Sequence, residues 1–361
     1  MDKELVKRLI ICIFIITAIA IAIAVNPFYK KNKDYSAPQI REQFANKLES
    51  LIRTDGSFLY EYNIEFKNEI DDYNILRHEL SSYALLDYYE DKGCLDYKRD
   101  LVNVMLEYIK EQIVEDDTGN MFVVDSIEDE VKLGACALGL VNFCEYERLY
   151  QNDRYHEYIV KLANGILTMQ RLDGRFNHVF NTKNFKLKEK DRIIYYEGEA
   201  CVALCKAYSI TKDEKYIEAV KKALDYYSKN NYYQKNDHWQ ERAVYEYMKI
   251  VQDEKYFDYG INNVLSGLIL FSNKDRFANT DFELFKIALN LIEDFSSDES
   301  KVSFNRISDE YMKRETELII EFNEASKVEN KNMDDVEKYL QKIGKNHIRI
   351  DDLAHFILAL K

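Results

Sequence analysis

The 361-residue sequence predicts an all-α fold, a closed ring of helical hairpins that follows one apolar segment of membrane-spanning length. Helical periodicity dominates the chain, and only 2 prolines and 11 glycines interrupt it, too few for a barrel of many short strands. A glycine turn recurs in RTDGSF, DDTGNMF and RLDGRF, so a unit of somewhat under about seventy residues repeats. Single apolar helices near residues 38–53 and in DDLAHFILALK could pair to close the ring.

The segment from Leu9 to Val25 is apolar apart from Thr17 and follows Lys7 and Arg8. With its flanks it is long enough to cross about 30 Å of hydrocarbon, which predicts a signal anchor. The predicted organisation is a tail at 1–8, a transmembrane helix at 9–25, a linker at 26–37 and the toroid at 38–361. A cleaved signal peptide is the alternative. Because a short basic region before one apolar run is the usual export signal, we expect a single-pass membrane protein with an extracytoplasmic body.

The predicted helices occur in pairs whose two members differ in character. The first member is rich in small residues, as in GACALGL and GEACVALC, and small residues allow helices to approach closely. The second member is amphipathic, with a Lys/Glu face for solvent, and an acid such as Asp213 or Asp253 precedes it as N-cap. We therefore expect inner first helices and outer second helices in about six hairpins, with an open solenoid as the alternative.

Composition and motifs argue against several classes of function. The formal net charge of −14, with no Lys/Arg cluster in the body, argues against a nucleic-acid partner. The sequence lacks Walker, Rossmann, HExxH and Gly-x-Ser-x-Gly motifs, so we predict no cofactor and no metal site. The sequence also lacks a D-x-D-D motif and a zinc-ligand set, which argues against a lipid-substrate cyclase or prenyltransferase. The cysteines of the body are expected to be free core thiols: Cys94, Cys136, Cys144, Cys201 and Cys205.

Six motifs, taken in order, resemble a known superfamily over roughly residues 50 to 361. They are LRHELSSYALL, VKLGACALGL, QRLDGRF, YYEGEACVALCKAY, NDHWQERAV and RIDDLAHFILAL. Together they are similar to the six-hairpin, (α/α)6-like toroids of carbohydrate-active proteins, which include glycoside hydrolases, polysaccharide lyases and sugar epimerases. The resemblance implies a sugar-handling cavity and leaves the reaction open. Relatives often have proline where this chain has Glu197, which makes an essential role for Glu197 less expected.

Polar residues recur at the starts of the predicted inner helices, and in a toroid these starts converge on one face. Gly198 in YYEGEA would let the chain approach closely at this point. Capping and core packing are the structural alternatives for each residue, but the shared position in the repeat favours a functional cavity. The predicted substrate-binding residues are Arg77, His78, Lys132, Tyr196, Glu197, His238, Trp239, Asp352 and His355.

Glu199 and Asp237 are the predicted catalytic pair. Glycoside hydrolysis requires one protonated and one ionised carboxyl, and we expect the apolar setting of Glu199 to keep it protonated while Asp237 stays ionised. Lyase or epimerase chemistry at a uronate would instead use Tyr196 or His238 as base. Arg77 and Lys132 would then neutralise the substrate carboxylate.

The sequence thus predicts a membrane-anchored, extracytoplasmic toroid that binds and processes a polysaccharide or oligosaccharide. The cations at the inner-helix starts favour an anionic sugar. A non-catalytic toroid that binds glycans or a partner protein during cell-envelope assembly is the alternative from another class.

Overall fold

The computed structural model describes residues 34–268, 278–296 and 301–361, and the part from Ser36 to Lys361 forms one compact unit. The predicted transmembrane helix at 9–25 lies outside the described residues. Within the described ranges, we find no helix that combines the length and the apolar character needed to cross a bilayer.

Helices make up most of the described chain. Their bounds are α1 Ala37–Ser50, α2 Ile75–Asp91, α3 Leu95–Glu111, α4 Leu133–Tyr150, α5 His156–Met169, α6 Tyr196–Thr211, α7 Glu214–Lys229, α8 His238–Met248, α9 Glu254–Leu265, α10 Asn279–Phe295, α11 Lys301–Ser326, α12 Asp335–Lys342 and α13 Ile350–Ala359. The short strands are β1 Glu61–Asn63, β2 Ile113–Glu115, β3 Met121–Asp125, β4 Glu130–Lys132, β5 Val179–Asn181, β6 Leu187–Glu189 and β7 His347–Arg349.

Six of these helices form a closed inner ring. Neighbours in the ring are α2, α4, α6, α8, α10 and α13, and α13 packs back against α2. Five outer helices, α3, α5, α7, α9 and α11, each pack on the inner helix that precedes them in the chain. The sixth outer helix is α1, which packs on α13, so the last hairpin joins the two ends of the compact unit. This arrangement confirms the predicted toroid of six hairpins and its closure by the terminal helices.

Small residues set the spacing of the inner ring. A Cβ at Gly134 of α4 would lie 2.3 Å from Glu199 Oε2 and 2.6 Å from a ring carbon of Tyr196. A Cβ at Gly198 of α6 would lie 2.4 Å from the backbone carbonyl carbon of Trp239 in α8. The glycines therefore allow three consecutive inner helices to touch, as the small-residue composition predicts.

The strands lie where the chain enters the inner helices. Strands β2 to β6 form one antiparallel sheet in sequence order, and β4 leads directly into α4. Strand β1 pairs antiparallel with β7, which leads directly into α13. The predicted glycine turns come before these strands in the chain. Their glycines have positive φ angles, +87° at Gly56, +85° at Gly119 and +97° at Gly174. The sheet therefore frames one end of the ring, the end at which the inner helices begin.

The five cysteines of the described chain are free thiols, as predicted: Cys94, Cys136, Cys144, Cys201 and Cys205. Four of them are buried in inner helices, where they pack as small apolar residues.

Candidate functional site

The N-terminal ends of all six inner helices surround one cavity of about 1190 Å³. Residues of α11 and α12 wall one side of it. One lining residue from each inner helix, or from the position just before it, illustrates the arrangement: Arg77, Lys132, Glu199, His238, Thr280 and His355. The convergence of helix starts on one face, expected from the sequence, is therefore present.

The structure brings most of the predicted site residues together and separates three of them. The predicted residues that line the cavity are Arg77, Lys132, Tyr196, Glu199, His238, Trp239, Asp352 and His355. His78, Glu197 and Asp237 are buried away from the cavity lining.

His78 is a core histidine with both ring nitrogens engaged. Its Nε2 donates to the Met105 carbonyl at 3.2 Å, and its Nδ1 accepts from the Tyr73 hydroxyl at 2.8 Å. The ring stacks on Tyr108 at 4.8 Å, and burial lowers the pKa of His78 to about 4. His78 therefore packs α2 against α3, and its position differs from the predicted substrate contact.

Glu197 holds the chain segment that borders the cavity. Its carboxylate accepts from the Phe176 N–H at 3.0 Å and from the Tyr227 hydroxyl, and His178 Nε2 lies at 3.4 Å. His178 Nδ1 in turn accepts from the Arg192 N–H at 2.8 Å. Glu197 is thus fully engaged in ordering the glycine turn and the loop before α6, which corrects its assignment to substrate binding.

Asp237 caps α8 and differs from the expected ionised partner of Glu199. Its Oδ1 accepts from the Trp239 N–H at 2.8 Å, and its backbone N–H donates to Asn263 Oδ1 at 3.1 Å. The side chain is fully buried, and this burial raises the pKa of Asp237 to about 8. Because Asp237 is buried outside the cavity lining, it does not have the position that the predicted Glu199–Asp237 pair requires.

Glu199 has the setting that the sequence predicts. It lies on the first turn of α6, is 3% exposed and lines the cavity. Its Oε2 has no hydrogen-bond partner within the described ranges. Burial, and then the proximity of Asp237, raises the pKa of Glu199 well above its ordinary value. These surroundings favour the protonated form of Glu199, and in that form the carboxyl can donate a hydrogen bond or a proton.

His238 and His355 meet on the cavity wall, with ring centroids 5.4 Å apart at 75°. His355 Nδ1 lies 3.0 Å from Glu283 Oε2, and the other oxygen of Glu283 accepts from Arg242. His238 Nε2 has no hydrogen-bond partner in the described part of the chain. The two imidazoles thus come from α8 and α13, and only His355 has a hydrogen-bonded carboxylate.

These surroundings move the pKa values of the two histidines in opposite directions. Burial lowers the pKa of His238 to about 3. Burial also opposes protonation of His355, but the Glu283 carboxylate outweighs it and raises the pKa of His355 above 6.5. Glu283 itself is buried, yet Arg242 and His355 hold its pKa well below the usual range. The cavity therefore presents a neutral imidazole beside one that favours protonation, an arrangement typical of acid–base catalysis.

The predicted cations of the cavity already have carboxylate partners. Arg77 Nε lies 3.2 Å from Asp351, and Lys132 Nζ lies 2.8 Å from Asp125. Lys132 is 3% exposed, so its charge is neutralised mainly by partners inside the protein. This pairing weakens the argument for an anionic sugar.

Sequence reasoning missed Glu283 and Arg242. The stretch around α10 shows no inner-helix signature, because its start lacks the small residues of α4 and α6. One feature of the sequence could have indicated Glu283. It is a single carboxyl within the apolar run FELF, near the start of a helix as in the other inner helices.

His238, Glu283 and His355 could also be considered as metal ligands, since one ligand-type atom of each lies within 4.8 Å of the others. Glu283 already accepts from Arg242, whose positive charge opposes a bound cation. The cluster is therefore better suited to proton transfer.

Comparison with solved structures finds this architecture in sugar-processing proteins. A cellobiose 2-epimerase from Bacillus thermoamylovorans has a TM-score of 0.57 at 15% identity, covering 75% of this chain and 87% of that chain. A cellobiose 2-epimerase from Spirochaeta thermophila has a TM-score of 0.59 at 9% identity, covering 82% and 88%. A GH76 α-mannanase from Bacteroides thetaiotaomicron has a TM-score of 0.55 at 11% identity, covering 88% and 94%. No family model and no curated protein sequence matches the chain.

These likenesses agree with the resemblance carried by the sequence motifs. The chain has the (α/α)6 toroid fold shared by sugar epimerases, isomerases and mannanases. At such low identities the comparison shows the fold alone, so the chemistry has to be argued from the cavity.

Proposed function

We propose that the protein is a sugar epimerase or aldose–ketose isomerase that transfers a proton at the carbon next to a free sugar carbonyl. The observation that carries this proposal is the pair of adjacent cavity histidines with opposite pKa shifts, His238 and His355. A proton transfer of this kind needs one base and one acid in reach of neighbouring substrate atoms, and the two imidazoles supply both.

In this mechanism neutral His238 removes the proton from C2 of an open-chain aldose. The electron pair of the C–H bond forms the C1–C2 double bond, and the carbonyl oxygen takes a proton from His355. The ketose forms when His238 returns its proton to C1 and the O2 proton passes to His355. The epimer forms when His355 takes back the O1 proton and delivers it to C2 from the opposite face, which leaves the original C2 proton on His238 for exchange with solvent. Glu199, protonated and facing the cavity, is placed to donate a hydrogen bond to a sugar oxygen.

The substrate class follows from this chemistry and from the shape of the cavity. Enolisation requires a sugar with a free reducing end. Residues of α11 and α12 line one side of the cavity that would hold it. Tyr196, Trp239 and Phe282 contribute apolar ring atoms to the cavity wall, which suits the apolar faces of a sugar ring. The likeness to structures described as cellobiose 2-epimerase and D-mannose isomerase supports a sugar substrate.

Glycoside hydrolysis is the second candidate, because Glu199 has the properties of a general acid. Asp351 is the cavity carboxylate that could complement it: burial opposes its ionisation, but Arg349 and Arg77 together lower its pKa. The likeness to a GH76 α-mannanase agrees with this possibility. If the protein is a hydrolase, Glu199→Gln should abolish turnover. If it transfers a proton at C2, substitution of the two histidines should lower the rate more than Glu199→Gln does.

The experiment is an NMR screen of the full-length protein with aldoses, reducing disaccharides, neutral glycans and uronate-containing glycans. We expect epimers or ketoses to form, and His355→Asn and His238→Asn to lower the rate by at least about a hundredfold. His347→Asn is the matched control, since this partly exposed histidine pairs with Glu61 at 3.2 Å outside the cavity lining. Release of shortened glycans would instead support hydrolysis. Binding without any product would support the non-catalytic alternative.

We also propose that residues 9–25 anchor the protein in a membrane with its body outside the cytoplasm. The support is the apolar run after Lys7 and Arg8 in the sequence. The protein should stay in the membrane fraction after carbonate extraction, and protease added to intact cells should digest the body. Recovery in the soluble fraction at full length would contradict the anchor.

A further inference from the structure

A chain of polar contacts links four inner helices and ends at one of the two cavity histidines. It runs from Tyr83 on α2 through Arg242 on α8 and Glu283 on α10 to His355 on α13. Four of the six inner helices thus contribute one residue each. Only the last member, His355, lines the cavity.

We propose that Arg242 is a positioning residue of the proton-transfer site: it fixes Glu283 as a carboxylate and thereby makes His355 the proton donor. This inference rests on the proposed function for its consequence in catalysis, although its electrostatic part can be tested separately.

The geometry orients His355. A carboxylate only accepts hydrogen bonds, so His355 Nδ1, 3.0 Å from Glu283 Oε2, carries its hydrogen toward Glu283. The other imidazole nitrogen, Nε2, is then the one available to a substrate. Glu283 accepts from Arg242 through its second oxygen, so both oxygens are engaged and the carboxylate cannot rotate.

Arg242 is itself held in place from two sides. Its Nη1 donates to the Tyr83 hydroxyl at 3.3 Å, and its guanidinium carbon lies 5.7 Å from the centroid of the Tyr83 ring. The Trp239 ring centroid lies 5.4 Å away. Aromatic faces attract a cation, and the fully buried Glu283 side chain leaves little solvent to screen the charge pair.

Two further carboxylates add to the effect of Glu283 and raise the pKa of His355, although each has a cationic partner of its own. On its own helix, Asp351 is bound by Arg349 at 2.6 Å and Asp352 pairs with Lys345. From α8, His238 packs against His355 with ring centroids 5.4 Å apart, and Arg242 reaches His355 through Glu283. Glu283 from α10 is the carboxylate hydrogen-bonded to it.

Removal of Arg242 should therefore act on His355 through Glu283. A buried carboxyl without a cation takes up a proton, and a protonated Glu283 no longer stabilises an imidazolium. His355 would then lose its proton at a lower pH, and the site would hold two neutral imidazoles.

The test is an NMR titration of isotope-labelled histidines in the full-length protein, with the His355 signal assigned by its loss in His355→Asn. In the parent protein the midpoint should lie above pH 6.5. In Arg242→Met it should fall below that value, and Arg242→Lys should restore part of the difference. Lys206→Met is the control, since it removes a cation of similar side-chain exposure that pairs with Glu145 at 2.6 Å, and it should leave the His355 midpoint unchanged.

An unchanged midpoint in Arg242→Met would overturn the inference. If that variant does not fold, Glu283→Gln carries the test, because it removes the carboxylate and leaves Arg242 in place. The same fall is expected, and an unchanged midpoint again overturns the inference. A shifted midpoint in a protein that transforms no sugar would refute the proposed function and leave the positioning role intact. With a substrate, Arg242→Met should lower kcat about tenfold or more and move its alkaline limb to lower pH, with partial rescue by Arg242→Lys.

Discussion

His238 and His355 show how identical side chains, with ring centroids 5.4 Å apart, acquire different roles from their neighbours. Burial without a hydrogen-bonded anion keeps His238 neutral, whereas Glu283 favours the protonated form of His355. The raised pKa of His355 also determines how folding stability depends on pH. Because the folded-state pKa of His355 is raised, its ion pair stabilises the fold fully below pH 6.5, and this contribution disappears as the pH rises through the folded-state pKa.

The same pKa shifts predict the pH dependence of turnover. The proton donor His355 is lost as the pH rises, so kcat/KM should fall on the alkaline side with a midpoint above 6.5. The base His238 stays neutral down to about pH 3, so the rate should hold toward acid for as long as the protein is folded. Steady-state kinetics on a converted aldose measure both limbs. An acid limb near pH 6.5 would show that His238 is not the base.

At individual residues the sequence predicted which side chains line the cavity better than it predicted their contacts. Inner-helix starts identified Glu199, His238 and His355, because the repeat places every such start on one face. The repeat does not show on which side of a helix start a side chain is buried. Asp237 was therefore expected in the cavity, whereas the structure places it outside the lining as the N-cap of α8. Glu283 lies in a helix without the small-residue pattern, and its contact with His355 joins positions 72 residues apart.

At the scale of elements, glycines decide how closely the inner helices approach. Gly134 of α4 faces the ends of side chains, including Glu199, whereas Gly198 of α6 faces the backbone of α8 at Trp239. Flexible side-chain ends can move aside, but a helix backbone moves only with its whole helix. The sequence predicted the close approach at Gly198 from YYEGEA.

This difference predicts unequal effects of two alanine substitutions. Gly198→Ala should destabilise the protein by about 3 kcal/mol, because the new Cβ would lie 2.4 Å from a backbone atom of Trp239. Gly134→Ala should cost about 1 kcal/mol less than that, since Glu199 and Tyr196 side chains can shift. Urea denaturation followed by circular dichroism compares the two. Equal stabilities would contradict the close helix contact at Gly198.

At the scale of the whole molecule, the ring depends on a hairpin built from its two ends. Phe44 of α1 stacks on Phe356 of α13 with centroids 4.4 Å apart, and Arg41 donates to the Ile357 carbonyl at 2.8 Å. The sequence predicted this closure because a single apolar helix begins and ends the body. It could not predict the wall formed by α11 and α12, since no repeat pattern marks those helices.

The closure predicts a large effect at one position. Phe44→Ala should destabilise the whole ring by about 3 to 5 kcal/mol, because a fully buried ring between α1 and α13 is removed. Tyr97→Ala on outer helix α3 is the control, since Tyr97 is 91% exposed and should change stability by less than about 0.5 kcal/mol. Thermal unfolding measures both variants. Similar melting temperatures for the two would show that α1 does not close the ring.

Hydrogen exchange with solvent reports proton transfer at C2 of a reducing sugar, whichever product forms. The full-length protein is incubated in D₂O with the aldose that binds best in the screen, and the C2 proton signal is followed by NMR. We predict loss of this signal as deuterium enters at C2, with the exchange slowed at least about a hundredfold in His238→Asn and unaffected in His347→Asn. Conversion of the sugar with the C2 proton fully retained would contradict the account.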